Sequence, residues 1–269
     1  MNNLKRKINK KILFLTAYAI LMLLFFLYAR FPGKAVGDYI LAVRSERCPG
    51  MFLSFGSTTL AFPPGLKMKN VSFGFRNNSE ANLFLDSLTV RPYFFGYISG
   101  RPSLCVKARA YDGNVKGIVP LPSHKERFAK TEIIFDGLNL GKCAFLKDGL
   151  GRRVTGKMWG SVVYGSSARL NFIVRNGGYQ LLESRFGLNR LDFDTVEGQI
   201  GIRGNMLRID KLKLKGNKVN CSIKGAIVLG NIIRNSEVGL SGTMEIAGTN
   251  KRISILITGT IGNAAIRYI

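Results

Sequence analysis

The run Leu207-Arg208-Ile209-Asp210-Lys211-Leu212-Lys213-Leu214, followed shortly by Val219-Asn220-Cys221-Ser222-Ile223-Lys224-Gly225-Ala226-Ile227-Val228, decides the fold class. Leu207 and Ile209, Leu212 and Leu214, Val219, Cys221 and Ile223, then Ala226 and Val228 are apolar, with basic residues frequent between them. A period of two is that of a half-buried β-strand, and no helical stripe competes with it. The same period runs upstream. Met68, then Val71, Phe73 and Phe75 predict a strand led in by Pro63-Pro64-Gly65. Leu83, Leu85, Leu88 and Val90 follow, with Asp86-Ser87 forcing a change of phase for which a bulge is one explanation. Leu104, Val106, Ala108 and Ala110 turn through Asp112-Gly113-Asn114 into Val115 and Ile118. Val162, Tyr164, Ala168, Leu170, Phe172 and Val174 make a pair around Gly165-Ser166-Ser167 that ends at Asn176-Gly177-Gly178. Ile253, Ile255 and Ile257 give a last strand before a glycine-bearing tail. Leu138 to Leu150 and Leu181 to Phe193 each read as a short helix or loop.

The stretches 83–90 and 207–214 share the pattern apolar-x-apolar-Asp-x-Leu-x-apolar, which is either coincidence between strands or a repeated layer of one long curved sheet. The 31 glycines are spread rather than pooled, as a sheet with many short turns requires. The expected fold is mainly β: a long, curved antiparallel sheet behind a single N-terminal transmembrane helix, with one or two short helices.

The N-terminus sets the compartment. Ile12 to Ala29 is eighteen residues without a charge, and at 1.5 Å per residue it reaches roughly 27 Å, enough for a hydrocarbon core. Lys5, Arg6, Lys7, Lys10 and Lys11 precede it, and no acid appears before Asp38. The positive-inside rule keeps that end cytoplasmic and exports the rest. A cleaved signal peptide is the competing reading, but the small-x-small triplet Ala17-Tyr18-Ala19 falls inside the apolar run. The expected organisation is a basic cytoplasmic tail at 1–11, an anchor at 12–29, and a linker with a short amphipathic helix at 30–50. A periplasmic β-rich domain at 51–269 completes it. Val36, Tyr39, Ile40 and Val43 carry the short helix, which either lies near the membrane surface or caps the next domain.

The chain of 269 residues has 40 Lys+Arg against 16 Asp+Glu, a net charge of +24. Setting aside the five basic residues before the span leaves 35 basic against 16 acidic, or +19, on the exported part. Nucleic acid is excluded as a partner by that topology and by the lack of a base-reading or stacking element. Arg208, Lys211, Lys213, Lys215, Lys218 and Lys224 form either a solvated face that discourages edge pairing or a basic face for acidic lipid.

Chemistry has little to stand on. His124 is the single histidine and sits in a loop. Cys48, Cys105, Cys143 and Cys221 are spaced by 57, 38 and 78 residues, so none pairs at zinc-site spacing. They are either disulfide partners, with three connectivities open, or small buried residues, which suits Cys221. Gly151-Arg152-Arg153-Val154-Thr155-Gly156-Lys157-Met158 mimics a phosphate loop but offers Met where a hydroxyl must reach Mg²⁺. Gly198, Gly201 and Gly204 lie in strand-like sequence, and Asp192 and Asp194 read as an exposed strand-edge pair. No catalytic, cofactor or metal residues are assigned, and an enzyme is not expected.

Several patterns together resemble the bacterial type II secretion system protein N (GspN) family. They are the single span with Phe31-Pro32-Gly33, the stretch Phe62-Pro63-Pro64-Gly65-Leu66-Lys67-Met68-Lys69-Asn70-Val71, and Leu83-Phe84-Leu85-Asp86-Ser87-Leu88-Thr89-Val90-Arg91-Pro92. Gly100-Arg101-Pro102, then Tyr111-Asp112-Gly113-Asn114-Val115-Lys116-Gly117 and the Leu207 to Leu229 run continue it, so the likeness extends from about residue 12 to 246. The resemblance implies a non-enzymatic, inner-membrane-anchored component of the secretion apparatus, partnered by other subunits. It also implies an AsmA-like periplasmic sheet, a half-open groove of a kind associated with phospholipid transport. The high basic charge and Cys48-Pro49-Gly50 depart from the family pattern.

Overall fold

The computed structural model describes residues 10–47, 50–62, 64–75, 78–121, 130–144, 146, 153–185, 188–246 and 252–268. His124, Cys48, Pro63, Gly151 and Arg152 lie outside them.

Helix α1 is Lys10–Ala29, the uncharged run with two lysines at its head. Most of its apolar side chains, Phe14 and Leu15 among them, are exposed. Among the described residues no helix is long and apolar enough to cross a membrane, so the structure does not support the expected anchor. Pro32 interrupts the helix, and α2 begins at once as Gly33–Arg47. It caps the start of the sheet, because a Cβ at Gly37 would lie 2.8 Å from the Phe55 ring.

Short strands β1 (Met51–Ser54) and β2 (Ser57–Ala61) lie end to end along β3 (Gly65–Phe75). From β3 the chain meanders. It passes through β4 (Asn78–Pro92), helix α3 (Phe94–Ile98), β5 (Ser103–Ala110), β6 (Gly113–Pro120) and β7 (Thr131–Asn139). A 3-10 turn at Leu140–Lys142 leads to β8 (Val154–Tyr164), β9 (Ala168–Arg185), β10 (Leu188–Arg203) and β11 (Met206–Lys215). The sheet finishes with β12 (Val219–Val228), β13 (Glu237–Ile246), β14 (Arg252–Thr260) and β15 (Ala264–Tyr268). Each strand from β3 onward pairs antiparallel with the next, giving one 15-stranded sheet.

Several local expectations need correction. No register shift occurs at Asp86-Ser87: Val71 faces Leu85 and Lys69 faces Ser87 in unbroken count. Both strands change phase together there, opposite Asn70, whose φ of 51° is left-handed. The bulge sits instead in the related stretch downstream, where Asp210 is the extra residue between Ile209 and Lys211 against β10. Asn176-Gly177-Gly178 does not end β9, since Asn176 at φ 50° lets the strand continue to Arg185 across a register shift with β8. Leu181 to Phe193 is therefore neither helix nor loop but the meeting ends of β9 and β10, outside residues 186–187. The β5–β6 turn is made by Tyr111 and Asp112, both at positive φ, so Gly113 is the first strand residue rather than a turn residue. Beyond Gly225, Ile227 rather than Ala226 and Val228 stays on the side of Ile223. The tail after β14 forms β15. Of the segment from Leu138 to Leu150, the first two residues end β7, Leu140–Lys142 form the 3-10 turn, and 145 and 147–150 lie outside the described residues.

Candidate functional site

The register sorts side chains between two faces. One row can be followed through paired residues from Leu60 and Leu66 to Val90, Val106, Gly117, Ile133 and Val162. It continues through Leu170, Ile200, Ile209, Gly225, Leu240, Ile257 and Ile266. A parallel row runs from Met68 through Leu88, Ala108, Val115, Phe135, Gly160 and Phe172 to Gly198, Leu212, Ile223, Gly242 and Ile255. No polar side chain interrupts either row. At about 4.8 Å per strand the apolar face is on the order of 60 Å wide.

That face is not a closed core. Met68, Phe135, Ile209 and Ile255 are buried, whereas Val90, Val106, Ile133, Val162, Leu170, Ile200 and Leu240 are only half-buried.

Two rings lie down on the face instead of standing across it. Phe172 covers Gly198, where a Cβ would collide with Cε1 and Cζ of the ring. Phe135 covers Gly160, with Cζ 2.7 Å from where a Cβ would be. Each glycine makes room for an aromatic from the neighbouring strand, and the floor stays shallow. Phe73 is half-buried, and the side chain of Phe75 lies outside the described residues.

One margin of the face is covered. Leu140 packs with Val174 and Phe193, and Leu146, Val154, Met158, Phe172, Val196 and Leu214 surround them. The β5–β6 turn pins this covering segment. Lys142 Nζ donates to Asp112 Oδ1 at 2.8 Å, and Asn139 donates its amide to Asp112 Oδ2 at 3.3 Å. The Asn139 backbone N–H donates to the Tyr111 carbonyl at 2.8 Å. The Lys142 hydrogen bond, helped by Asn139, holds the Asp112 carboxyl below its ordinary value. Burial pushes the Tyr111 phenol up, while the Phe84 N–H it accepts pulls the other way.

The opposite face is mixed over β5 to β9, where Ile118, Ile134 and Ile173 are exposed on it, and basic over β11 and β12. Arg208, Lys213, Lys215 and Lys224 point there and are exposed, with Lys211 half-buried beside them. Arg208 pairs with Asp210 at 2.7 Å and Lys211 with Glu197 at 3.6 Å. A cavity of about 810 Å³ opens on this face over β5, β6 and β7.

The remaining candidates do not converge. Cys105 is on the opposite face and Cys221 on the apolar one, and the three described cysteines are free thiols. Burial raises the Cys221 thiol. Gly156, Lys157 and Met158 belong to β8, so no loop feeds a helix there. Asp192 and Asp194 are exposed on β10, an interior strand rather than an edge, and Asp192 bonds Arg190 at 2.7 Å. Sequence reasoning missed α3, because five residues are too few for a periodic signal. It also missed the glycine–phenylalanine pairs, since they lie on different strands.

No family model, no curated protein and no solved structure matches the chain.

Proposed function

We propose that the chain is a non-enzymatic, single-pass inner-membrane protein whose periplasmic sheet binds phospholipid acyl chains, acting as a lipid-binding or lipid-transfer module of the envelope. The observation that carries this is the pair of unbroken apolar rows, half-buried over most of their course. A soluble surface rarely leaves so large a continuous apolar area without an occupant. Its width, on the order of 60 Å, is several times the half-thickness of a hydrocarbon core. On this reading the sheet curls into a half-open, AsmA-like groove, as sheets of this many strands tend to do. Lys10 and Lys11 at the head of α1, with Lys5, Arg6 and Lys7, hold the N-terminus in the cytoplasm.

The test is site-specific photocrosslinking in native membranes of the full chain, with a photoreactive phenylalanine analogue at Leu170 or at its neighbour Arg169. Residue 170 lies in the apolar row and residue 169 on the opposite face. Phospholipid adducts at 170 but not at 169 are expected. No adduct at 170 would sink the reading.

A second reading, a structural or assembly subunit of a type II secretion system, is favoured by the ordered sequence patterns from about residue 12 to 246. Crosslinks from the opposite face to other secretion subunits support it, and crosslinks to none count against it. The two roles are compatible in one protein.

A further inference from the structure

We infer a second membrane contact at the β4–β5 connection: α3 enters the interfacial layer of an anionic bilayer, and the cavity beside it takes a lipid phosphate. The inference rests on the proposed membrane anchoring of α1 and adds to it where, and through what chemistry, the sheet meets the bilayer.

Helix α3 has the sequence FFGYI, and its four large side chains all point away from the protein. Phe94 is 57% exposed, Phe95 74%, Tyr97 50% and Ile98 84%. The exposure is built into the backbone. Gly96 is the buried residue of the helix, and a Cβ there would meet the Arg101 carbonyl at 2.5 Å and the Tyr93 ring at 3.1 Å. The Arg101 N–H donates to the Gly96 carbonyl at 2.7 Å, closing the loop beneath the rings. Phe62 is 83% exposed, and its carbonyl accepts from Arg91 Nη2 at 3.0 Å, which ties it to the end of β4. Aromatic residues with arginines at their base match the bilayer interface, where rings settle at headgroup level and cations meet phosphates.

The position fits the anchor. Gly33 is in direct contact with the Thr58 carbonyl of β2. Phe62 follows β2 immediately, four residues or roughly 13 Å beyond Thr58. Ala29, the end of α1, is four residues before Gly33 and so at most about 14 Å away along the chain.

Among the described residues, Arg101, Lys107, Lys116 and Lys130 line the 810 Å³ cavity next to α3 together with the acid Glu132, and Ile118 and Ile134 stand in its wall. Lys107 and Lys116 face each other directly on neighbouring strands. Like charges so placed repel, and no ion pair among the described residues reaches either of them. A phosphate between the two would turn that repulsion into two charge-assisted hydrogen bonds.

The experiment uses the full chain in nanodiscs with brominated acyl chains, on a Trp159→Phe background so that an introduced tryptophan is the single reporter. Phe95→Trp should lose emission about twofold in equal parts phosphatidylglycerol and phosphatidylcholine, as expected of a ring at the acyl boundary. Ile232→Trp, on the distant β12–β13 connection, should keep its emission. No quenching at position 95, or equal quenching at both positions, overturns the inference. In phosphatidylcholine alone the quenching at 95 should weaken, and Lys107→Gln with Lys116→Gln should abolish that difference between lipids. A difference that survives the double substitution overturns the phosphate assignment. So does its loss on adding millimolar inorganic phosphate, which would identify free phosphate as the occupant. Failure at position 95 with adducts retained at Leu170 would remove this contact and leave the acyl-binding reading standing.

Discussion

Replacing Gly198 with alanine tests whether the shallow apolar floor is real. Gly198 faces Phe172 directly across β9 and β10, and a Cβ there would collide with Cε1 and Cζ and lie 3.0 Å from Cδ1. Ordinary carbon contacts need about 3.5–4.0 Å, so the ring must retreat by about an ångström or more. Overpacking of this kind costs about 1–3 kcal/mol, offset by about 0.4–1 kcal/mol from the stiffer unfolded chain. The two ranges leave a net loss of about 0–2.6 kcal/mol; at the midpoint, about 1.3 kcal/mol, Tm falls by roughly 3–5 °C for a chain of this size. Gly201→Ala is the matched control: it lies on the same strand but the other face, with its nearest neighbours, Asp210 Oδ2 and the Arg208 carbonyl, at 3.9 and 4.0 Å. It should be neutral or slightly stabilising. Thermal melts of the two variants, followed by circular dichroism on the full chain in one detergent, make the comparison. Phe172→Leu placed in the Gly198→Ala background should recover most of the loss. Equal melting of Gly198→Ala and Gly201→Ala would refute the account of the floor.

Asp112→Asn should loosen the segment that carries Leu140. Because the folded carboxyl sits below its unfolded value, its contribution is present above the unfolded pKa, near 4, and disappears as pH falls through the lower folded value. The Tm gap between wild type and Asp112→Asn should therefore be open at neutral pH, close below about pH 4, and shrink with salt because the pair is exposed. A gap that persists in acid refutes the link to this carboxylate. Cys221, raised by burial on the apolar face, should alkylate more slowly in the native chain than after unfolding at the same pH. Equal rates in iodoacetamide time courses would contradict that placement.

The sequence was legible wherever burial is one-sided and the chain regular. Around Leu207 to Ile223 alternation alone places the strands and, through the register, the face of each side chain. It failed at residues whose backbone departs from the strand. Asp86 and Asp210 sit in the same local pattern, yet only Asp210 is an extra residue, because bulging depends on what the partner strands can accommodate. Asn-Gly-Gly at 176–178 carries turn chemistry, but neighbours on both sides keep pairing through it, so tertiary context overrides propensity. The site was half legible. The apolar face follows from the alternation, while its shallowness depends on Gly160 and Gly198 lying beside Phe135 and Phe172 from other strands. The α3 aromatics carry no periodic signal at all.

The large basic excess takes its meaning from this sorting. On β11 and β12 the cations stand on the face opposite the apolar rows, and only some of them meet an acid, as Arg208 and Lys211 do. Charge of this density discourages another sheet from stacking on the back of these strands. It does nothing for the front, where the apolar rows would drive association if nothing else covered them. Two occupants satisfy that demand: acyl chains, or the same face of a second copy. A second copy would bring Leu170 against apolar side chains and give protein–protein adducts there at twice the chain mass. Acyl chains would give adducts heavier by one phospholipid. A lipid mass at Leu170 with none at Arg169 would assign the front face to acyl chains rather than to a second copy.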